Sequence, residues 1–444
     1  MGFYQSIGVK PIINAAGPLT RLGGTRLDAE VLDAMAEASA SFVHIDELQL
    51  QAGKVIAGVT GAEAGYIVNG AAAGLSLATA ACVAGLDVGK MDRLPNTAGM
   101  KNEVVVQRGH RNSYDHAIRA VGVRMVEVGY LGHPGAGSTQ PWQIEEAITD
   151  QTAAVAYPIL STTGTVSLAE VCAIAHAKGV PVIVDAAAQL PPRLNLRRFI
   201  QEGADLVVFS GGKSIGGPQA SGILAGRADL IASVALQHQD MDVSAATWNQ
   251  RDLLTTGKVG GIPQQGFGRA MKVGREEVAG LITALRRYAS GDDDSDAVRW
   301  GSLLDIIQPM IEGISGIRVE RVQTTLKPIP ILRIHMDQLT LKYGGYHLVN
   351  LLLACDPPIA ISESYADLNI PIINPQGLTQ DEANIVGVQL RKLLVSPQGE
   401  VWSRIGPVPQ RNRPQRQLPA RIFLVERRIK ILILGMDMQT VKNW

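Results

Sequence analysis

The sequence predicts an α/β fold in which a mostly parallel sheet carries helices on both faces, followed by a smaller α+β C-terminal domain. Seven short apolar runs, at residues 64–68, 104–106, 125–128, 153–157, 182–184, 206–209 and 221–225, have the length of strands, and near-continuous apolar character is what strands covered on both faces show. Ala-rich helical patterns fill several intervals, notably 70–84 and 168–178, and this alternation is the mark of a wound parallel sheet. Two of the runs also end in residues of chemical consequence: 182–184 stops at Asp185, and 206–209 stops at Ser210, Gly211, Gly212 and Lys213.

Residues 1–50 read as an arm and a helix. IGVKPIINAAGPLTRLGGTRL is rich in Gly, Pro and Asn and should be irregular, placing Thr20, Arg21 and Arg26 where they can serve an anionic ligand or simply line a surface loop. A helix is expected over 27–39, with Asp28 in its first turn. Residues 51–265 form the large domain. Its first strand, AGYIV, runs into Asn69, Gly70, Ala71 and Ala72, which open a small-residue helix, so unpaired N–H groups and a positive helix end meet there and could seat a phosphate. After the strand at 104–106, RGHRNSYDHAIRAVG offers His110 and Tyr114 as rings able to stack on a planar ligand. Ser161, Thr162 and Thr163 follow the strand at 153–157, as hydroxyls for a ligand or as turn residues. The helix at 168–178 ends at Gly179, and Pro181 leads into the Asp185 strand.

Beyond Lys213 a long polar stretch precedes an amphipathic helix over 271–288, which is expected to link to the smaller domain, so that residues 266–395 comprise linker and small domain. The acidic GDDDSD reads as a solvated loop, helices are expected at 300–313 and 379–394, and strands at 317–322 and 329–335. Thr379 and Glu382 have the spacing of a capping box. Residues 396–444 carry nine Lys or Arg against three acids, a basic extension of formal charge +6 that could serve subunit contact, RNA contact or neither.

Parallel sheets bind ligands at the carboxyl ends of their strands, so Asp185 and Lys213 should share a crevice. An amine and a carboxylate so placed suit pyridoxal phosphate: Lys213 would hold it as a Schiff base and Asp185 would keep its ring nitrogen protonated. The glycines beside Lys213 allow a sharp turn and close approach. A phosphate-loop reading of GGKS fails, because the first glycine of that motif would fall at Val207.

Composition narrows the classes. The 444 residues, 46% hydrophobic and 18% charged with a formal charge of zero, offer no general attraction to nucleic acid or anionic membranes. Cys82, Cys172 and Cys355 lie too far apart for a disulfide framework or a zinc site, and no metal is expected. With no secretory signal and no run of about twenty apolar residues, a cytoplasmic protein without a membrane span is expected.

The motifs GVKPIINAAGPLTRLGG, NGAAAG, RGHRNSYDHAIRAVG, VDAAAQLPP, FSGGKSIGGPQASGIL, QHQDMDV, GRAMKVGREE and INPQGLTQDEA together resemble the fold-type I pyridoxal phosphate enzymes, and within them the SelA-like group, over about residues 5–395. The resemblance implies a large domain with a seven-stranded sheet, an internal Schiff base at Lys213 and a pyridine-nitrogen contact at Asp185. It implies that His110 lies against the ring, that Gly70, Ala71, Ala72 and Ser210 hold the phosphate, and that Asn69, Ser161 and Ala187 complete the cofactor shell. It also implies a homodimer or larger homo-oligomer. Thr20, Arg21, Arg26, Arg193, Arg269 and Lys272 are the pool for substrate carboxylate or phosphate. The shared pattern begins almost at once, without the additional N-terminal region that recognises tRNA in selenocysteine synthases, so a nucleic-acid substrate is not expected.

The function expected is an ammonia lyase acting on a hydroxylated 2-amino acid, an amino sugar acid such as D-glucosaminate 6-phosphate. Racemisation, aldol cleavage and SelA-like β-replacement on the same scaffold are the alternatives, followed by a non-catalytic RNA-binding role.

Overall fold

A computed structural model describes residues 2–132, 137–160, 162–324 and 327–396. Ser161 and the basic extension from residue 397 onward lie outside the described residues. The strands are β1 (Ile13–Ala15), β2 (Ala64–Val68), β3 (Glu103–Gln107), β4 (Arg124–Val128), the short ribbon β5 (Tyr130–Leu131) and β6 (Gly137–Ser138), β7 (Thr152–Pro158), β8 (Val182–Asp185), β9 (Leu206–Ser210), β10 (Gly222–Gly226), β11 (Ile317–Thr324), β12 (Lys327–Met336), β13 (Ile359–Ile361) and β14 (Ile372–Ile373).

Seven of them form the central sheet in the order β2-β10-β9-β8-β7-β3-β4, parallel except for β10, which runs antiparallel to both neighbours. Successive side chains alternate faces. Tyr66, Val68, Val104, Ala154, Ile183, Leu206, Val208 and Leu224 join the core built with the helices Gly70–Ala84 and Ala228–His238. Ile67, Val105, Val155, Val182, Val184, Val207, Phe209 and Ile223 join the opposite core, with the helices Ile45–Thr60, Leu168–Ala177, Asn195–Gln201 and Arg275–Ser290. The small residues of GAAAG have a packing reason: a Cβ on Gly74 would stand 2.8 Å from Val208 Cγ1, so the helix rides close over the centre of the sheet.

The C-terminal part is a second layered unit. The antiparallel sheet β11-β12-β14 is covered by the helices Asp293–Ile311 and Gln380–Val395, with Leu303, Leu304, Ile307, Leu332, Ile334, Val386 and Leu390 in its core. The helix Gln380–Val395 starts with the expected capping box, in which Thr379 N donates to Glu382 Oε2 and Glu382 N donates to Thr379 Oγ1. β1 belongs here too, pairing in parallel with β13.

Three elements differ from the sequence reading. The amphipathic helix Arg275–Ser290 buries Val278, Leu281, Ala284 and Leu285 in the core of the large sheet before the chain crosses to the small unit. The GDDDSD segment is no solvated loop: Asp292 accepts from Ser295 N at 2.7 Å as N-cap, and the helix begins at Asp293. Acids here also suit the positive end of the helix. Asp28, likewise, is the N-cap of the helix Ala29–Ser39, accepting from Glu30 N.

Candidate active site

β8 and β9 are parallel neighbours, with Asp185 in register with Val208, so Asp185 and the residues after Ser210 emerge at the same edge of the sheet. The turn carrying Lys213 is held by backbone bonds from Gly211 N to Ser221 O, Gly217 N to Gly211 O and Gly216 N to Lys213 O. It admits no side chains before the lysine, since a Cβ on Gly211 would lie 2.3 Å from Ser221 Oγ and one on Gly212 2.6 Å from Gln219 Cα. Asp185 Oδ1 accepts from Ala187 N at 3.0 Å. Burial pushes its carboxyl above the ordinary carboxylate range, while the Ala187 hydrogen bond and the charge of Lys213 pull it back. The amine and the carboxylate thus act on one another across a water-poor crevice.

The strand β2 leads into the candidate phosphate cradle. Asn69 does not cap the helix Gly70–Ala84 with its side chain; its Nδ2 donates instead to Lys272 O at 3.5 Å. The first N–H groups of a fifteen-residue helix are left for a ligand. Gly70 holds φ +81, a left-handed conformation that glycine adopts without strain. Gly222 pairs with both Ser210 and Val68, bringing Ser210 alongside this turn. A Cβ on Gly222 would stand 3.0 Å from Gly70 C and 3.1 Å from Ala71 N. Gly222→Ala is therefore expected to push the cradle out of place and weaken cofactor affinity about tenfold, the equivalent of the ~1–3 kcal/mol that overpacking costs, as read by titrating the cofactor-free protein.

Two rings meet at the crevice. His110 is 1% exposed and lies edge-to-face with Tyr157, ring centroids 4.7 Å apart. Burial pulls its imidazole down to about 4, so it is neutral at pH 7, and its Nδ1 has no hydrogen-bond partner. Tyr114 is 64% exposed and lines both the cleft that contains Asp185 and Tyr157 and the adjoining cleft at Asn69, Ala72 and Met271. The open ring face is thus that of Tyr114, with His110 beneath the surface. Tyr157, which donates from its hydroxyl to Val166 O, was hidden in the sequence as one more apolar strand residue.

The substrate pool separates into three groups. Thr20, Arg21 and Arg26 stand on the arm: Thr20 O accepts from Gln219 Nε2 at 2.8 Å, Arg21 pairs with Glu363 at 3.6 Å and Arg26 with Glu382 at 2.7 Å. Arg269 and Lys272 line a second cleft with His44, Asp46, His238 and Trp248, and Arg269 pairs with Asp240 at 2.8 Å. Arg193 belongs to neither group. Its guanidinium bonds Asp293, Asp296 and Tyr288 O and lies 4.4 Å from the Tyr288 ring centre, so it ties the end of the helix Arg275–Ser290 to the start of the next.

These residues fit pyridoxal phosphate. An amine and a carboxylate face one crevice, a helix N-terminus stands ready for the phosphate, and a buried imidazole nitrogen is left without a partner. The comparisons agree with the geometry. The family model for L-seryl-tRNA selenium transferase (SelA) matches residues 12–242, just over half of the chain. The chain is 36% identical over 321 residues to D-glucosaminate-6-phosphate ammonia lyase of Salmonella typhimurium, covering 71% of this chain and 75% of that one. It is 32% identical over 406 residues to a Streptomyces 5'-C-glycyluridine monooxygenase-decarboxylase, covering 89% and 93%. The solved structure of a D-glucosaminate-6-phosphate ammonia-lyase superposes with a TM-score of 0.73 at 30% identity, covering 89% of this chain and 98% of that chain.

Proposed function

The chain belongs to the SelA family of pyridoxal-phosphate-dependent enzymes, of fold type I, and we propose that it catalyses α,β-elimination from a hydroxylated 2-amino acid, giving a 2-keto-3-deoxy acid and ammonia. The observation that carries the reading is the Asp185 and Lys213 pair at adjacent strand ends, in a chain whose likeness to the ammonia lyase holds in both sequence and fold. An amino sugar acid, D-glucosaminate 6-phosphate or one close to it, is the proposed substrate.

When bound, pyridoxal phosphate supplies a conjugated ring that accepts the electron pair left at the substrate's Cα. Asp185 would hold a proton on the ring nitrogen, and its burial keeps water from competing for that contact. The N–H groups of Gly70, Ala71 and Ala72, with Ser210, would hold the phosphate. Lys213 would take the proton from Cα and return it to the departing β-hydroxyl, which leaves as water. Hydrolysis of the resulting enamine consumes one water, which balances the water lost, and releases ammonia, so the net change is amino acid to keto acid plus ammonia. Neutral His110, beside Tyr157, would offer its unpartnered Nδ1 to the cofactor.

A second reading has a specific support, since the monooxygenase-decarboxylase relative covers more of both chains than the Salmonella lyase does. The two chemistries part in their products. With D-glucosaminate 6-phosphate, the lyase reading expects equimolar keto acid and ammonia with no oxygen uptake. Oxygen consumption with release of the carboxyl carbon as CO₂ would put the oxidative reading in its place, and an altered substrate that keeps its nitrogen would point to racemisation or β-replacement.

Among the described residues no helix is long and apolar enough to cross a membrane. We propose that the enzyme works in the cytoplasm and as a homo-oligomer. The exposed Phe42, Val43, Ile45 and Leu50, on and just before the helix Ile45–Thr60, support subunit contact there.

A further inference from the structure

The arm forms a cleft of about 630 Å³ whose lining includes Lys10, Arg21 and Arg26 and, among the described residues, no carboxylate. Some of its lining residues pack on the Lys213 turn. A Cβ on Gly24 would stand 2.6 Å from Gly212 O, Gln219 Nε2 bonds Thr20 O at 2.8 Å, and Gln376, another lining residue, reaches Ser214 Oγ at 3.5 Å. Arg21, next to Thr20, and Arg26, two residues after Gly24, therefore stand close in the chain to contacts with the Lys213 turn.

The three cations are not held alike. Arg26 makes two bonds to Glu382, at 2.7 and 3.4 Å, and Glu382 is the capping-box acid of the last helix, so this pair is part of the frame. Arg21 meets Glu363 at 3.6 Å and Lys10 meets Asp356 at 3.9 Å, with all four side chains about half exposed or more. Pairs so long and so wet contribute little and exchange readily for a better anion. Arginine offers a planar fork to a phosphate or carboxylate, and lysine adds a mobile point charge.

We infer that Arg21, assisted by Lys10, is the specificity-determining site for a phosphate monoester on the tail of the substrate. The inference rests on the lyase reading for the identity of the substrate but not for its test. A dianion is favoured over a lone carboxylate because two loosely engaged cations face one space that holds no acid. Bound there, the phosphate releases Glu363 and Asp356 and fixes the substrate's far end at the arm, leaving its reacting end to the crevice.

The test uses the full-length holoenzyme and two acids that lack the 2-amine and so cannot react, 6-phosphogluconate and gluconate, titrated calorimetrically. Wild type is expected to bind the phosphorylated acid at least about tenfold more tightly, Arg21→Ala to reduce that preference to less than about threefold, and Arg21→Lys to retain part of it. Gluconate affinity should be the same in all three. Absence of a phosphate preference in wild type, or its survival in Arg21→Ala with an unchanged circular dichroism spectrum, overturns the assignment. Loss of gluconate binding in Arg21→Ala also overturns it, in favour of a carboxylate site. Failure of the lyase reading would show separately, as absence of keto acid from the amino acid substrate.

Discussion

Lys213→Ala is expected to lower keto-acid release roughly 10³-fold, within the range of about 10²–10⁴ that a positioned proton-transfer group supplies. The same variant should lose the near-visible absorbance that the wild-type protein shows after incubation with pyridoxal phosphate, because the only amine placed on the Gly211–Gly212 turn has gone. The backbone bonds that hold the turn should remain, from Gly211 N to Ser221 O, from Gly217 N to Gly211 O and from Gly216 N to the carbonyl of residue 213. A folded variant that turns over at the wild-type rate would remove Lys213 from the reaction.

Asp185→Asn should separate activity from stability. Removing the charge that holds a proton on the ring nitrogen is expected to cost about 10²–10³ in turnover, comparable to deleting one preorganised electrostatic group. In the cofactor-free protein the effect on folding has the opposite sign. The folded carboxyl lies above its unfolded value because burial penalises the charged form. The native state therefore binds more protons than the unfolded state between those two values, and stability falls as pH rises through them. Asparagine removes this loss, so the apoprotein variant should melt at or above the wild-type temperature at pH 7, and its melting temperature should depend less on pH from the ordinary carboxylate range upward. Turnover within threefold of wild type would show that the carboxylate is not part of the reaction.

The features legible in the sequence were those written in local chemistry. β-branched runs ending in Asp185 and Ser210 marked adjacent buried strands, and glycines flanking Lys213 marked a turn with no room for side chains. All seven runs read as strands lie in the large sheet. What escaped depended on partners far away in the chain. The helix Ile45–Thr60, which the sequence reading did not mark, runs unbroken through Gly53. In the fold a Cβ there would lie 2.2 Å from Gly65 O, so glycine is what lets the helix touch the sheet. Arg193 reads as a cation available to substrate, and only the fold shows Asp293 and Asp296 closing on it from a hundred residues later. The same acids read as a solvated loop for the same reason. His110 and Tyr114 stand four residues apart in one motif, and nothing local distinguishes the ring that is buried from the ring that is open.

The pairing of β1 with β13 has a consequence for how the molecule is made. Ile13 has its hydrogen-bonding register with Ile359, several hundred residues later in the chain. β1 must therefore wait for β13 to be synthesised, and the large sheet, whose strands lie between residues 64 and 226, can be complete before the arm is fixed. The arm that carries Arg21 can therefore settle later than the sheet whose strand ends lead to Asp185 and Lys213, since its own strand waits for β13.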